Sequence, residues 1–83
     1  SREKHLPAIE KRAAGIFVKI GSVAGPMFDT HWSNWIDLIA GPVQYRKYLN
    51  PGEKPEALFP LVEGELVVRE FCNLHGIWKG DSK

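Results

Sequence analysis

The chain has 83 residues, 43% hydrophobic and 25% charged, with 11 Lys and Arg against 10 Asp and Glu and a formal net charge of +1. That is one small domain, residues 1–83, with room for one core and of a size at which a bound metal can contribute substantially to folding. The near-neutral balance gives no case for nucleic acid, and no apolar run approaches the ~20 residues of a membrane-spanning helix, so neither partner is expected.

The single cysteine excludes an intramolecular disulfide framework and fits a reducing compartment. No segment has the charged start, apolar core and small-residue cleavage site of a signal peptide, so a cytoplasmic location is expected.

Residues 1–14 have no sustained period, and Pro7 disfavours helix at Leu6, so they read as an extended arm. The β-branched and aromatic run Gly15-Ile16-Phe17-Val18-Lys19-Ile20 predicts the first strand, closed by Gly21-Ser22. Residues 21–30 hold Gly21, Gly25, Pro26, Asp29 and Thr30 and read as a loop leading to His31. From Ser33 to Ala40 an imperfect alternation favours a half-buried strand, with Ile36 and Leu38 on one face and Trp35, Asp37 and Ile39 on the other, and leaves a short helix as the alternative.

Gly41-Pro42 predicts a turn and residues 43–49 another strand, closed by the strong turn signal Asn50-Pro51-Gly52. Ala57-Leu58-Phe59 is a brief strand before Pro60. Glu65-Leu66-Val67-Val68-Arg69-Glu70-Phe71 is a clear strand that delivers Cys72 at its end, and Ile77-Trp78-Lys79 can pair back after a turn at Gly76. Short strands with turn signals about every ten residues, and no amphipathic helix, predict an all-β antiparallel sandwich. Exposed sheet edges in such a fold make a homo-oligomer plausible.

Chemistry concentrates in Cys72-Asn73-Leu74-His75, where two intervening residues let a thiolate and an imidazole reach one metal from a tight loop. The other histidines, His5 and His31, also fall in irregular segments or at strand ends. Mixed thiolate and imidazole ligation suits iron, zinc or copper rather than magnesium or calcium, and zinc would accept three His and one Cys as a closed tetrahedral set. The ordinary reading of Trp32, Trp35 and Trp78 is core or rim packing, and Phe17, Phe59 and Phe71 are core candidates.

Four pieces in order resemble the superoxide reductase family, which includes neelaredoxin and the iron-centre domain of desulfoferrodoxin. They are Glu3-Lys4-His5-Leu6-Pro7; Gly25-Pro26-Met27 with His31 and Trp35-Ile36-Asp37-Leu38; Leu49-Asn50-Pro51-Gly52-Glu53-Lys54-Pro55-Glu56; and Cys72-Asn73-Leu74-His75-Gly76-Ile77-Trp78-Lys79. The resemblance implies an immunoglobulin-like sandwich around a non-haem iron with equatorial histidines and an axial thiolate. It further implies one-electron reduction of superoxide to hydrogen peroxide, with electrons from a rubredoxin-like donor. Carried over, His5, His31 and His75 are equatorial ligands and Cys72 is the axial one. Glu3 matches the carboxylate that closes the open position in the oxidised state, and Lys4 the cation that attracts superoxide.

The family's remaining histidine stands just before the Pro-Met pair, and here that position is Gly25, which cannot ligate. Water, Glu3, Asp29 or Met27 would have to complete the set. The alternative is a non-enzymatic iron- or zinc-binding sandwich that has lost the activity.

Overall fold

A hairpin opens the fold where an arm was expected. The computed structural model describes residues 7–21, 27–28, 31–73 and 76–81, and the side chains of all of these but residues 27, 28, 31, 32 and 81. In it β1 (Pro7–Arg12) pairs antiparallel with β2 (Gly15–Ile20) from end to end. β1 escapes a periodicity reading because it is an edge strand whose last three residues are all exposed, with only Ile9 packed against the core. Pro7 is tolerated as its first residue, where the missing N–H breaks no inner ladder. The hairpin turns into Gly15, whose φ is +150° and where a Cβ would overlap the carbonyl oxygen of Phe59, so only glycine lets β2 approach its other neighbour.

That neighbour is β6 (Glu56–Phe59), completing a three-stranded sheet in the order β1-β2-β6. The second sheet contains β3 (Met27–Phe28), β4 (His31–Ala40), β5 (Val43–Tyr48), β7 (Val67–Cys72) and β8 (Gly76–Asp81). β4 pairs with β3, β5 and β7, and β7 pairs in turn with β8, every pair antiparallel. Residues 21–30, read as loop, thus include the short strand β3, and β4 starts two residues earlier than expected, at His31 itself. The expected turns hold: Gly41 has the positive φ of +58° that a tight β4–β5 hairpin favours, and Glu53 N–H donates to the Asn50 carbonyl at 3.1 Å.

The sheets close on each other through the alternate residues that face inward. Ile16, Val18 and Ile20 of β2 and Ala57 and Phe59 of β6 meet Ile36 and Leu38 of β4 and Val68 of β7, with Leu49 and Leu66 sealing the ends. All ten are at most 6% exposed, and this burial is the main term holding the sandwich together. Tyr45 of β5 extends the core, its ring 6.3 Å from that of Phe59. No helix occurs among the described residues, so the fold is the all-β antiparallel sandwich expected.

Two of the three phenylalanines expected in the core lie elsewhere. Phe17 is half-buried under the Arg12 guanidinium, 3.9 Å from its ring centroid, and Phe71 is half-buried and stacks on Trp35 at 5.7 Å. Each sits at the opposite phase from its strand's buried residues, Ile16 and Val18 in one case and Glu70 and Cys72 in the other.

Candidate metal centre

Alternation along β7 carries Cys72 into the interior. Val68, Glu70 and Cys72 are each 0% exposed, whereas Val67, Arg69 and Phe71 are half-buried on the other face. Cys72 is therefore the last residue of a strand, not part of a loop, and pairs with Ser33 of β4 on one side and Gly76 of β8 on the other. Because β4 and β7 run antiparallel, the beginning of β4, where His31 stands, lies beside the end of β7, where Cys72 stands.

A bulge between Ser33 and Trp35 governs this corner. Trp35 pairs with Phe71 and Ser33 with Cys72, so two steps on β4 match one on β7 and Asn34 is the additional residue. Strict alternation from Trp35 would place Ser33 on the outer face. The bulge returns it to the inner face, where it is 1% exposed and its hydroxyl donates to Glu70 Oε2 at 2.6 Å. The interior thus has an apolar body and a polar end made of Ser33, Glu70 and Cys72, which suits a thiolate better than an all-hydrocarbon wall. Asn34 Oδ1 is also buried here, with no hydrogen-bond partner among the described residues.

Burial pushes the Glu70 carboxyl up to about 7, against the opposing pull of the Ser33 hydrogen bond. The folded state therefore holds a proton that the unfolded chain releases near pH 4.5. The stability this gives is complete below that pH and is lost as pH rises through about 7. For the metal-free chain we expect unfolding free energy to fall by on the order of 3 kcal/mol from pH 4.5 to above pH 7. Glu70→Gln should flatten that slope in denaturant titrations across pH; an unchanged slope would assign the proton elsewhere.

The remaining candidate ligands are placed only in part. His31 is the first residue of β4 and pairs with Phe28 of β3. Glu3, Lys4, His5, Gly25 and His75 lie outside the described residues. Two anchors flank them in sequence: Gly76 pairs with Cys72, and β1 begins at Pro7, against which Gly80 of β8 lies. β1 thus meets β8 at Gly80, the partner of Val68, rather than at Gly76, the partner of Cys72. Among the described residues no three His, Cys, Asp or Glu side chains converge as a metal-binding group.

Sequence reasoning passed over Ser33 and Glu70. Glu70 was findable, since it shares the period-2 phase of Val68 and Cys72, but Ser33 was hidden by the bulge. Also passed over was Asp37, 0% exposed on the other face of β4, which accepts hydrogen bonds from Arg46 Nε at 2.6 Å, Arg46 Nη2 at 2.9 Å and Arg69 Nη2 at 3.0 Å. The bonds from Arg46 to Asp37, and then one with Tyr48, push the Arg46 guanidinium upward and keep it firmly cationic.

Fold and site together define a small two-sheet antiparallel β protein with a buried, strand-borne cysteine beside a polar pair. The chain belongs to the desulfoferrodoxin family, whose model matches residues 1–81. It is 57% identical over 81 residues to a desulfoferrodoxin of Syntrophotalea carbinolica, a match covering 98% of this chain and 64% of that protein. It thus spans just under two thirds of that relative's length. Among solved structures it resembles the superoxide reductase of Treponema pallidum, with a TM-score of 0.87 and 39% identity over 96% of this chain and 68% of that one. It also resembles the superoxide reductase (1Fe-SOR) of Giardia intestinalis, with a TM-score of 0.85 and 26% identity over 98% of both chains.

Proposed function

We propose that this domain is a superoxide reductase whose iron is held by His5, His31, His75 and Cys72. The observation that carries the reading is the burial of Cys72 at the polar end of the sandwich, beside the strand that begins at His31, in a chain of the desulfoferrodoxin family. Iron bound there would supply the single electron that, with two protons, turns superoxide into hydrogen peroxide.

The chain's own residues supply the rest. Cys72, shielded from water, donates electron density as a thiolate, and the pair Ser33 and Glu70 fixes the strand end that presents it. Lys4 attracts the anionic substrate locally, without requiring a basic protein, and Glu3 is the carboxylate that covers the site between turnovers. A rubredoxin-like carrier returns the electron, and a lone thiolate suits the reducing cytoplasm in which such carriers work.

Gly25 supports a second reading, a non-enzymatic iron- or zinc-binding sandwich, because it leaves the donor set one imidazole short of what the resemblance implies. Pulsed superoxide separates the two. The iron-reconstituted, reduced domain should be oxidised by one superoxide per iron and yield one hydrogen peroxide without oxygen evolution. A domain that keeps stoichiometric metal, loses thermal stability to a chelator and ignores superoxide is the second.

A further inference from the structure

We propose that the outer face of the five-stranded sheet is the docking surface for the electron donor, an acidic protein carrying a one-electron metal centre. The proposal rests on the superoxide reductase reading, since each turnover consumes an electron that another protein must deliver.

The register lays two rows of side chains straight across this face. Tyr48, Trp35, Phe71 and Ile77 are successive cross-strand partners on β5, β4, β7 and β8 and form an apolar row. Beside it run Arg46, Asp37, Arg69 and Lys79, partnered in the same way. The ends of the apolar row are open, with Tyr48 69% and Ile77 59% exposed, and its middle is the Trp35–Phe71 stack. Arg46 lies flat over it, its Cζ 3.9 Å from the Trp35 centroid and 5.8 Å from that of Tyr48.

The only carboxylate in these two rows, Asp37, is fully buried beneath Arg46 and Arg69, while both guanidiniums keep about a third of their surface and Lys79 is exposed. These two rows therefore carry three cations against one buried carboxylate, although the next row, Gln44, Ile39, Val67 and Asp81, adds an acidic position at the β8 end. An apolar strip beside this excess of positive charge is complementary to a carboxylate-rimmed apolar patch. Two copies of this face would set like charges together, which disfavours a second copy as the occupant. Position points to the donor's role. Phe71 is bonded to Cys72, so the docking row and the thiolate occupy opposite faces of one strand. With iron held by the Cys72 site, one electron would leave the donor's reduced metal, oxidising it by one unit, and would return that iron from ferric to ferrous, with no atom transferred.

Titration calorimetry of the iron-reconstituted domain with zinc-substituted rubredoxin, which keeps the carrier's surface but passes no electron, tests the surface apart from catalysis. We expect Kd to weaken about tenfold between ~0.01 and ~0.15 M salt, and Lys79→Glu and Ile77→Glu each to weaken it at least about tenfold at low salt. Lys19→Glu, the same charge change on the exposed side of the other sheet, should leave it unchanged. Equal effects of Lys79→Glu and Lys19→Glu, no binding at all, or sedimentation showing a dimer that Ile77→Glu dissolves would each overturn the proposal. Normal superoxide chemistry with no docking defect in the face variants sinks this inference alone. Face-dependent docking without superoxide chemistry sinks the function on which it rests.

Discussion

Asp37→Ala is expected to lower the unfolding free energy by about 3–5 kcal/mol, the range for removing one partner from a buried ion cluster. Asp37 accepts three hydrogen bonds from Arg46 and Arg69 and lies 3.3 Å from Gln44 Nε2. Arg46 and Arg69 come from the strands on either side of β4 at the same register step. Without the carboxylate, two half-buried guanidiniums confront each other across one strand, with no anion between them. The attraction of the intact cluster is offset by desolvation, so replacing the whole cluster by apolar residues of similar size should recover most of the loss. Guanidinium unfolding of the wild type, of Asp37→Ala and of a triple variant combining Asp37→Leu, Arg46→Leu and Arg69→Met checks both statements. A single-variant loss below about 1 kcal/mol would mean that water already screens the cluster.

Cys72→Ser should have the largest effect on the site. The oxidised, iron-reconstituted wild type should show a strong thiolate-to-ferric charge-transfer band in the visible, and the serine variant none. Loss of the one sulfur donor should also weaken iron binding by at least about 100-fold, more than the 10- to 100-fold typical of changes behind the ligands. The substitution is nearly isosteric in a fully buried position, so a far-ultraviolet spectrum like the wild type's would separate a site defect from a folding defect. A wild-type protein without the band would remove the thiolate from the iron altogether. A band that persists in Cys72→Ser would remove Cys72 alone.

Much of the fold was legible because most strands carry a partial period of two between strong turn signals, as at Gly41-Pro42 and Asn50-Pro51-Gly52. The misses have local causes. β1 is an edge strand that offers little to the core, so its residues looked like an arm. β3 is only two residues long, below what any periodicity can register. Phe17 and Phe71 were assigned to the core on hydrophobicity, when strand phase decides which face a residue occupies. The cysteine was legible as a chemical outlier, but its neighbours Ser33 and Glu70 were not, since the bulge that delivers Ser33 to that face depends on how two distant strands pair.

The alternation of β7 has a consequence for how this protein can change. Its odd-numbered residues Val67, Arg69 and Phe71 belong to one surface and its even-numbered residues Val68, Glu70 and Cys72 to the other, so the strand is a six-residue partition with a different business on each side. Substitutions can tune either side separately. A single-residue insertion or deletion inside the strand cannot, because it would exchange the two sides beyond that point and carry the sulfur toward solvent and an aromatic ring toward the interior. A change in the length of this strand is thereby expected to cost more than a change in the composition of either side.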